Sequence, residues 1–201
     1  MKDKYLQDIS EIKNMMNKSS QFISLSGLSG IMAGIYALIG AHIANGLIER
    51  HVGYYVTLES KTFKLIVLTA FLVLVFSIVT AAILTVSKAK KEGEKIWNTT
   101  SKRMLVNFLI PLVSGGVFGL LLLRNGYYGL IAPVTLLFYG LACVNASKYT
   151  LRDVRYLGIT IIILGLIATE CSGYALEFWA LGFGVCHILY GSIMYFKYDR
   201  K

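Results

Sequence analysis

Apolar residues fill this chain in long blocks, and the charges that separate them fall in short clusters. The runs free of Asp, Glu, Lys and Arg are Ser19–Ile48 (30 residues), Leu65–Ser87 (23), Met104–Leu123 (20), Asn125–Ser147 (23), Tyr156–Thr169 (14) and Phe178–Phe196 (19). A helix rises about 1.5 Å per residue, so roughly 20 apolar residues cross a hydrocarbon layer of about 30 Å. The pattern predicts an all-α polytopic membrane protein with six transmembrane helices, at about 22–46, 64–87, 104–123, 128–147, 156–173 and 176–196, in one domain over 1–201. The fifth run is short, and Glu170 with the turn-like Cys171-Ser172-Gly173 is expected in the headgroup zone. Ahead of the spans, Tyr5, Ile9, Ile12 and Met16 share one helical face. They predict an amphipathic helix within residues 1–20, lying in the interface or docking on a soluble partner. No short apolar core with a cleavage site precedes the first span, so that span is read as the anchor itself.

Composition narrows the class. Of 201 residues 56% are hydrophobic and only 15% charged, and the mean hydropathy is +0.63. So little charge cannot cover a surface facing water, and the same figures exclude a disordered chain, a collagen and a disulfide-stapled domain. The three cysteines, Cys143, Cys171 and Cys186, have no paired spacing and read as small apolar fillers. No metal or cofactor motif occurs, and none is expected.

Charge predicts the orientation. Sixteen of the 20 basic residues fall at the N-terminus, the second and fourth loops and the C-terminus, where seven acidic residues accompany them. The other loops hold four of each sign, so the whole net charge of +9 lies on one side. Basic residues accumulate in cytoplasmic loops, which puts both termini in the cytoplasm and the chain in the cell's inner membrane. The partners this implies are the bilayer and its anionic headgroups, with a second copy or a cytoplasmic protein as further candidates. Nucleic acid is not expected, because the lysines flank hydrophobic spans.

The last two hairpins align without a gap at an offset of 51: Leu137-Phe-Tyr-Gly140 matches Ile188-Leu-Tyr-Gly191, and Tyr127-Tyr128 falls on Phe178-Trp179. Arg50-His-Val-Gly-Tyr-Tyr55 echoes Arg124-Asn-Gly-Tyr-Tyr128, which suggests three tandem helical hairpins of one orientation. Ser26, Gly30 and Gly34 recur every four residues with Gly27 beside them, a stripe on which another helix backbone can come close. It reads as packing inside the monomer or as a homodimer face. Gly115, Gly116 and Gly119 mark a second such site on the third span, whereas the second span has no glycine and is expected to face lipid.

Ionisable groups inside a bilayer are costly, so each is a candidate for function. His187 lies near mid-depth, Glu170 and His42 near the outer end, and Asn107 near the cytoplasmic end. A small-solute or proton-linked transporter would bring His187, Glu170 and Asn107 to one cavity. Gly27-Leu-Ser29-Gly30 is a GxSG string, and His187 is followed four residues later by Gly191. With six helices, these strings resemble the rhomboid intramembrane proteases, in which a serine and a histidine form a dyad; the resemblance implies Ser29 and His187 as the pair. The sequence departs from that pattern, with GxSG on the first span and neither His nor Asn on the second. The stretch Ser19-Ser-Gln-Phe-Ile-Ser-Leu-Ser-Gly-Leu-Ser-Gly30 resembles the opening of uncharacterised bacterial six-span inner-membrane proteins, a family that implies location and no activity. The leading expectation is a non-enzymatic integral membrane protein, a scaffold, sensor or regulator acting through helix packing and cytoplasmic contacts.

Overall fold

The computed structural model describes residues 22, 24–50 and 60–200. The predicted N-terminal amphipathic helix and most of the first loop lie outside them. Over the described residues the chain is an all-helical bundle of six long helices. They are α1 (Gly27–Glu49), α2 (Lys61–Lys91), α3 (Thr99–Arg124), α4 (Ile131–Ala146), α5 (Arg152–Glu170) and α6 (Ala175–Asp199). α1, α2, α3, α4 with its flanking turns, and α6 are long and apolar enough to cross a membrane. α5 has 19 residues and carries Arg152, Asp153, Arg155 and Glu170 at its ends, so its uncharged centre is the shortest of the six.

Boundaries follow local chemistry. α2 begins where Ser60 accepts a bond from Phe63 N at 3.1 Å. It ends at Gly93, whose φ of +67° is open to glycine without cost. There Glu94 N donates to Ala89 O and Gly93 N to Lys90 O, closing the orphan carbonyls of the last turn. The same closure ends α3 at Gly126, φ +80°, with Tyr127 N on Leu122 O. Pro133 falls in the first turn of α4, where its missing N–H costs nothing. α6 winds as a π-helix at Ala180–Cys186 and again at Tyr195–Asp199.

The first span departs from expectation at its start. Residue 22 is not helical, and the helix begins five residues later at Gly27. Phe22 instead pairs with the segment after α4: its N–H donates to Tyr149 O, and Thr150 Oγ1 donates to Phe22 O, both at 2.7 Å.

α1, α3 and α5 run one way and α2, α4 and α6 return. α2 packs along α1, α1 along α6, α6 against α5 and the start of α4, and α3 along α4. α1 with α6 and α4 with α5 are the two most extensive pairings, and the second joins the second expected hairpin to the third. The core lies between α4, α5 and α6: Leu136, Leu157, Ile161, Ala168 and Cys186 are buried, with Tyr139, Phe183 and Tyr190 around them. In the most apolar stretch of α2 no residue is buried, as a helix facing lipid requires.

Candidate functional site

Glycine sets how closely the helices approach. A Cβ on Gly27 would lie 2.6 Å from Gly191 O, and one on Gly34 the same distance from Gly184 O. Gly30 faces Gly191 Cα at 3.2 Å from its would-be Cβ. The α1 stripe is thus covered by α6 of the same chain and is not available to a second copy. Ser26, just ahead of the helix, is buried and meets α6 through a hydrogen bond instead of a backbone crossing. Gly115 presses on Phe138 of α4 and Gly119 is buried, whereas Gly116 is exposed; neither Gly116 nor Gly119 has anything within 4 Å of a Cβ position. Gly116 points away from α4, and at Gly119, one turn further on, no neighbour reaches the Cβ position.

The two glycines matched by the 51-residue offset both sit at helix crossings. Gly140 meets Gly158 of α5, and Gly191 meets Gly27 and Ile31 of α1. The tyrosines before them also face neighbours: Tyr139 bonds His187, and Tyr190 bonds Thr160 at 3.1 Å.

His187 is buried in the core. Its Nδ1 lies 3.0 Å from Gly182 O and its Nε2 2.8 Å from Tyr139 Oη. A carbonyl can only accept, so Nδ1 carries the proton and Nε2 accepts from the tyrosine. The bend of the π-helical turn brings Gly182 within reach. Phe183 stacks on the imidazole at 5.9 Å, and Phe108 and Phe183 flank Tyr139 at 5.9 and 5.0 Å. Both ring nitrogens are therefore engaged. Ser29 Oγ donates to Ser26 O at 2.6 Å, one turn back on its own helix. The Ser29–His187 dyad expected from the protease resemblance is not formed. The helices do cross there, with His187 O 3.5 Å from the Cβ position of Gly30, but the two side chains point to different neighbours. Tyr139→Phe is expected to leave Nε2 without a partner and to cost about 1–2 kcal/mol. Detergent-solubilised unfolding would show it as a lower midpoint with the helix content unchanged.

Asn107 acts through its backbone. Pro111 lacks the N–H that would bond the Asn107 carbonyl one turn earlier, and Asn145 of α4 supplies the missing donor, Nδ2 to O at 2.8 Å. The Asn107 side chain turns to Arg103 O. Glu170 is exposed at the end of α5. His187 and Asn107 thus bond to different neighbours, and Glu170 lies exposed at the end of α5. His42 is exposed and lines, with Asn45, Glu177, Leu38, Ala41, Leu176 and Ala180, a shallow cleft of about 260 Å³ between α1 and α6 at the end away from Lys88. Cys143 and Cys186 are buried and Cys171 is exposed; all three are free thiols. Among the described residues no three His, Cys, Asp or Glu side chains gather as a metal site.

The densest polar geometry is at the end where α1, α3 and α5 begin. Asp199 Oδ2 accepts Gly27 N at 2.8 Å and Ser26 Oγ at 3.2 Å, and its Oδ1 meets Lys88 Nζ at 2.7 Å. Lys88 also donates to Leu25 O at 3.0 Å. A carboxylate from α6 thereby caps the N-terminus of α1, where the helix dipole favours negative charge, and neutralises a lysine of α2. The ion pair is nearly buried, its side chains 12% and 10% exposed. A second clamp joins α5 to α6: Asp153 accepts from Lys197 Nζ at 3.0 Å and from Tyr198 Oη at 2.8 Å. Ser24 Oγ donates to Glu92 and Glu94. Sequence reading placed Lys88 among the headgroup lysines and missed Asp199 and Asp153. The available signal is that each of the two is the lone acid in its cluster of bases.

Comparison of the chain with protein-family models, curated proteins and solved structures finds no match.

Proposed function

We propose that the chain is a non-enzymatic, multi-pass protein of the cell's inner membrane that works as a scaffold or regulator. It crosses six times as three hairpins, with both termini cytoplasmic. The reading rests on one observation: the polar groups inside the bundle are committed to joining helices, and the clamped end offers a broad cationic surface. Tyr139 joins His187, Asn145 joins the Asn107 carbonyl, and Asp199 and Asp153 tie four helix ends together. A bundle braced in this way holds its basic end as one platform, suited to holding a cytoplasmic partner beside the membrane. Lys88, Arg152 and Lys197 then belong to the cytoplasmic side, and Glu170 and Arg124 to the other.

Native thiols make the topology testable. Cys171 is exposed at the end opposite the clamps, while Cys143 and Cys186 are buried. A membrane-impermeant maleimide added to intact cells is expected to label the chain at Cys171 and to lose that label in Cys171→Ser. A Lys95→Cys variant in the Cys171→Ser background is expected to react only after permeabilisation. The reverse pattern would overturn the orientation, and labelling of both from outside would overturn the spans.

A further inference from the structure

The basic end differs from a mixed surface in where its acids go. Glu92, Glu94, Asp153 and Asp199 are the carboxylates described there, and each is engaged by another part of the chain. Lys88 and Lys197 are the two lysines that they hold in ion pairs. The exposed bases Lys95, Lys102, Arg103, Arg152, Arg155 and Arg200 form no ion pair among the described residues. The clamps therefore do two things at once. They brace the helices and engage the carboxylates of this end, of which Glu92 alone stays exposed, so that the exposed charge among the described residues is predominantly positive.

Aromatic rings share this end. Trp97 is 66% exposed with Lys102 Nζ 5.9 Å from its ring, and Phe196 is 63% exposed with the Arg200 guanidinium 5.7 Å away. Tyr156 stands exposed one residue from Arg155. Exposed rings beside cations, just beyond apolar helices, suit the headgroup layer, where the ring sits among glycerol and acyl carbons and the cation meets phosphate. An acidic protein segment would complement the charge but would not explain large apolar rings left open beside it.

We propose that this end of the bundle, centred on Trp97 with Lys95, Lys102 and Arg103, is a docking surface for anionic phospholipid headgroups, selective over zwitterionic ones. This rests on the reading of the helices as membrane spans. Selectivity comes from the uncompensated cations and is screened by salt over about 10 Å at 0.1 M.

Trp97 itself is the probe. The only other tryptophan, Trp179, packs on Phe183 near the start of α6, at the opposite end. In the Trp179→Phe chain, reconstituted in phosphatidylcholine bilayers, fluorescence then reports Trp97 alone. A minority of phosphatidylglycerol brominated near the headgroup is compared with the same fraction of brominated phosphatidylcholine, at low salt. Quenching by the anionic lipid is expected to be at least about two-fold stronger. The ratio should fall toward one in high salt and in Lys95→Gln/Lys102→Gln/Arg103→Gln, whose changes are all on exposed side chains. Equal quenching by both lipids overturns the proposal and makes an acidic polypeptide the complementary partner. A preference that survives the triple substitution overturns the assignment to these residues. Quenching by neither lipid would put Trp97 outside the bilayer and sink the membrane reading as well.

Discussion

Gly140→Leu is expected to separate α4 from α5 and to abolish the folded bundle. A Cβ on Gly140 would stand 2.7 Å from Gly158 O, and one on Gly158 equally close to Gly140 O. The obstacle on each side is backbone, which cannot rotate away as a side chain can. Even Gly140→Ala must push the two helices apart at a backbone-to-backbone crossing, at a cost of about 1–3 kcal/mol, and leucine exceeds that. The core residues Leu136 and Ile161 lie on the two helices that would separate. Gly116→Ala is the matched control: nothing lies within 4 Å of its Cβ position, so it should be neutral or gain up to about 1 kcal/mol of helix propensity. Unfolding of the detergent-solubilised chain in sodium dodecyl sulfate, followed by circular dichroism, would rank the three. Equal midpoints for Gly140→Ala and Gly116→Ala would mean that the crossing is not as close as drawn.

Asp199→Asn should be the most damaging change of a charged residue. It removes the nearer of the two carboxylates at Lys88, whose side chain is 12% exposed, leaving Glu92 at 4.0 Å, and weakens the cap on Gly27. Breaking a largely buried pair from one side costs several kcal/mol, because the remaining charge keeps its desolvation penalty. With a backbone carbonyl still on Lys88, about 2–4 kcal/mol is expected. Lys88→Gln/Asp199→Asn should then lose less than the sum of the single changes, by about 1–3 kcal/mol of coupling. Asp153→Asn should cost clearly less, since its partner Lys197 is 53% exposed and solvent screens that pair. If the two aspartates proved equal, Asp199 would not be the central clamp.

Much of the architecture was legible because the bilayer imposes a length. Uncharged runs located all six helices, and spacing by four picked out the α1 stripe that meets α6. What was not legible depends on rotation and on contacts far apart in sequence. The resemblance pairs Ser29 with His187, and their helices do cross there; nothing local says that one side chain turns back to Ser26 and the other toward Tyr139. The start of α1 was placed at residue 22 because its true start depends on a cap 172 residues away. One signal was present and unread. Pro111 in an uncharged run must strand the carbonyl of Asn107, and a half-buried amide donor such as Asn145 is what that carbonyl needs. The polar residues were sought as a functional cluster, and the structure uses them one at a time as joints.

The long reach of Asp199 bears on biosynthesis. Ribosomes add roughly 5–20 residues per second, so α1 emerges about 10–35 s before the aspartate that completes its first turn. Until then the leading helix waits with open amides, and Lys88 arrives meanwhile with no counter-charge from α6. The order of synthesis thus makes closing this end wait for α6, and a chain stalled before Asp199 would present the insertion and quality-control machinery with an unsealed bundle.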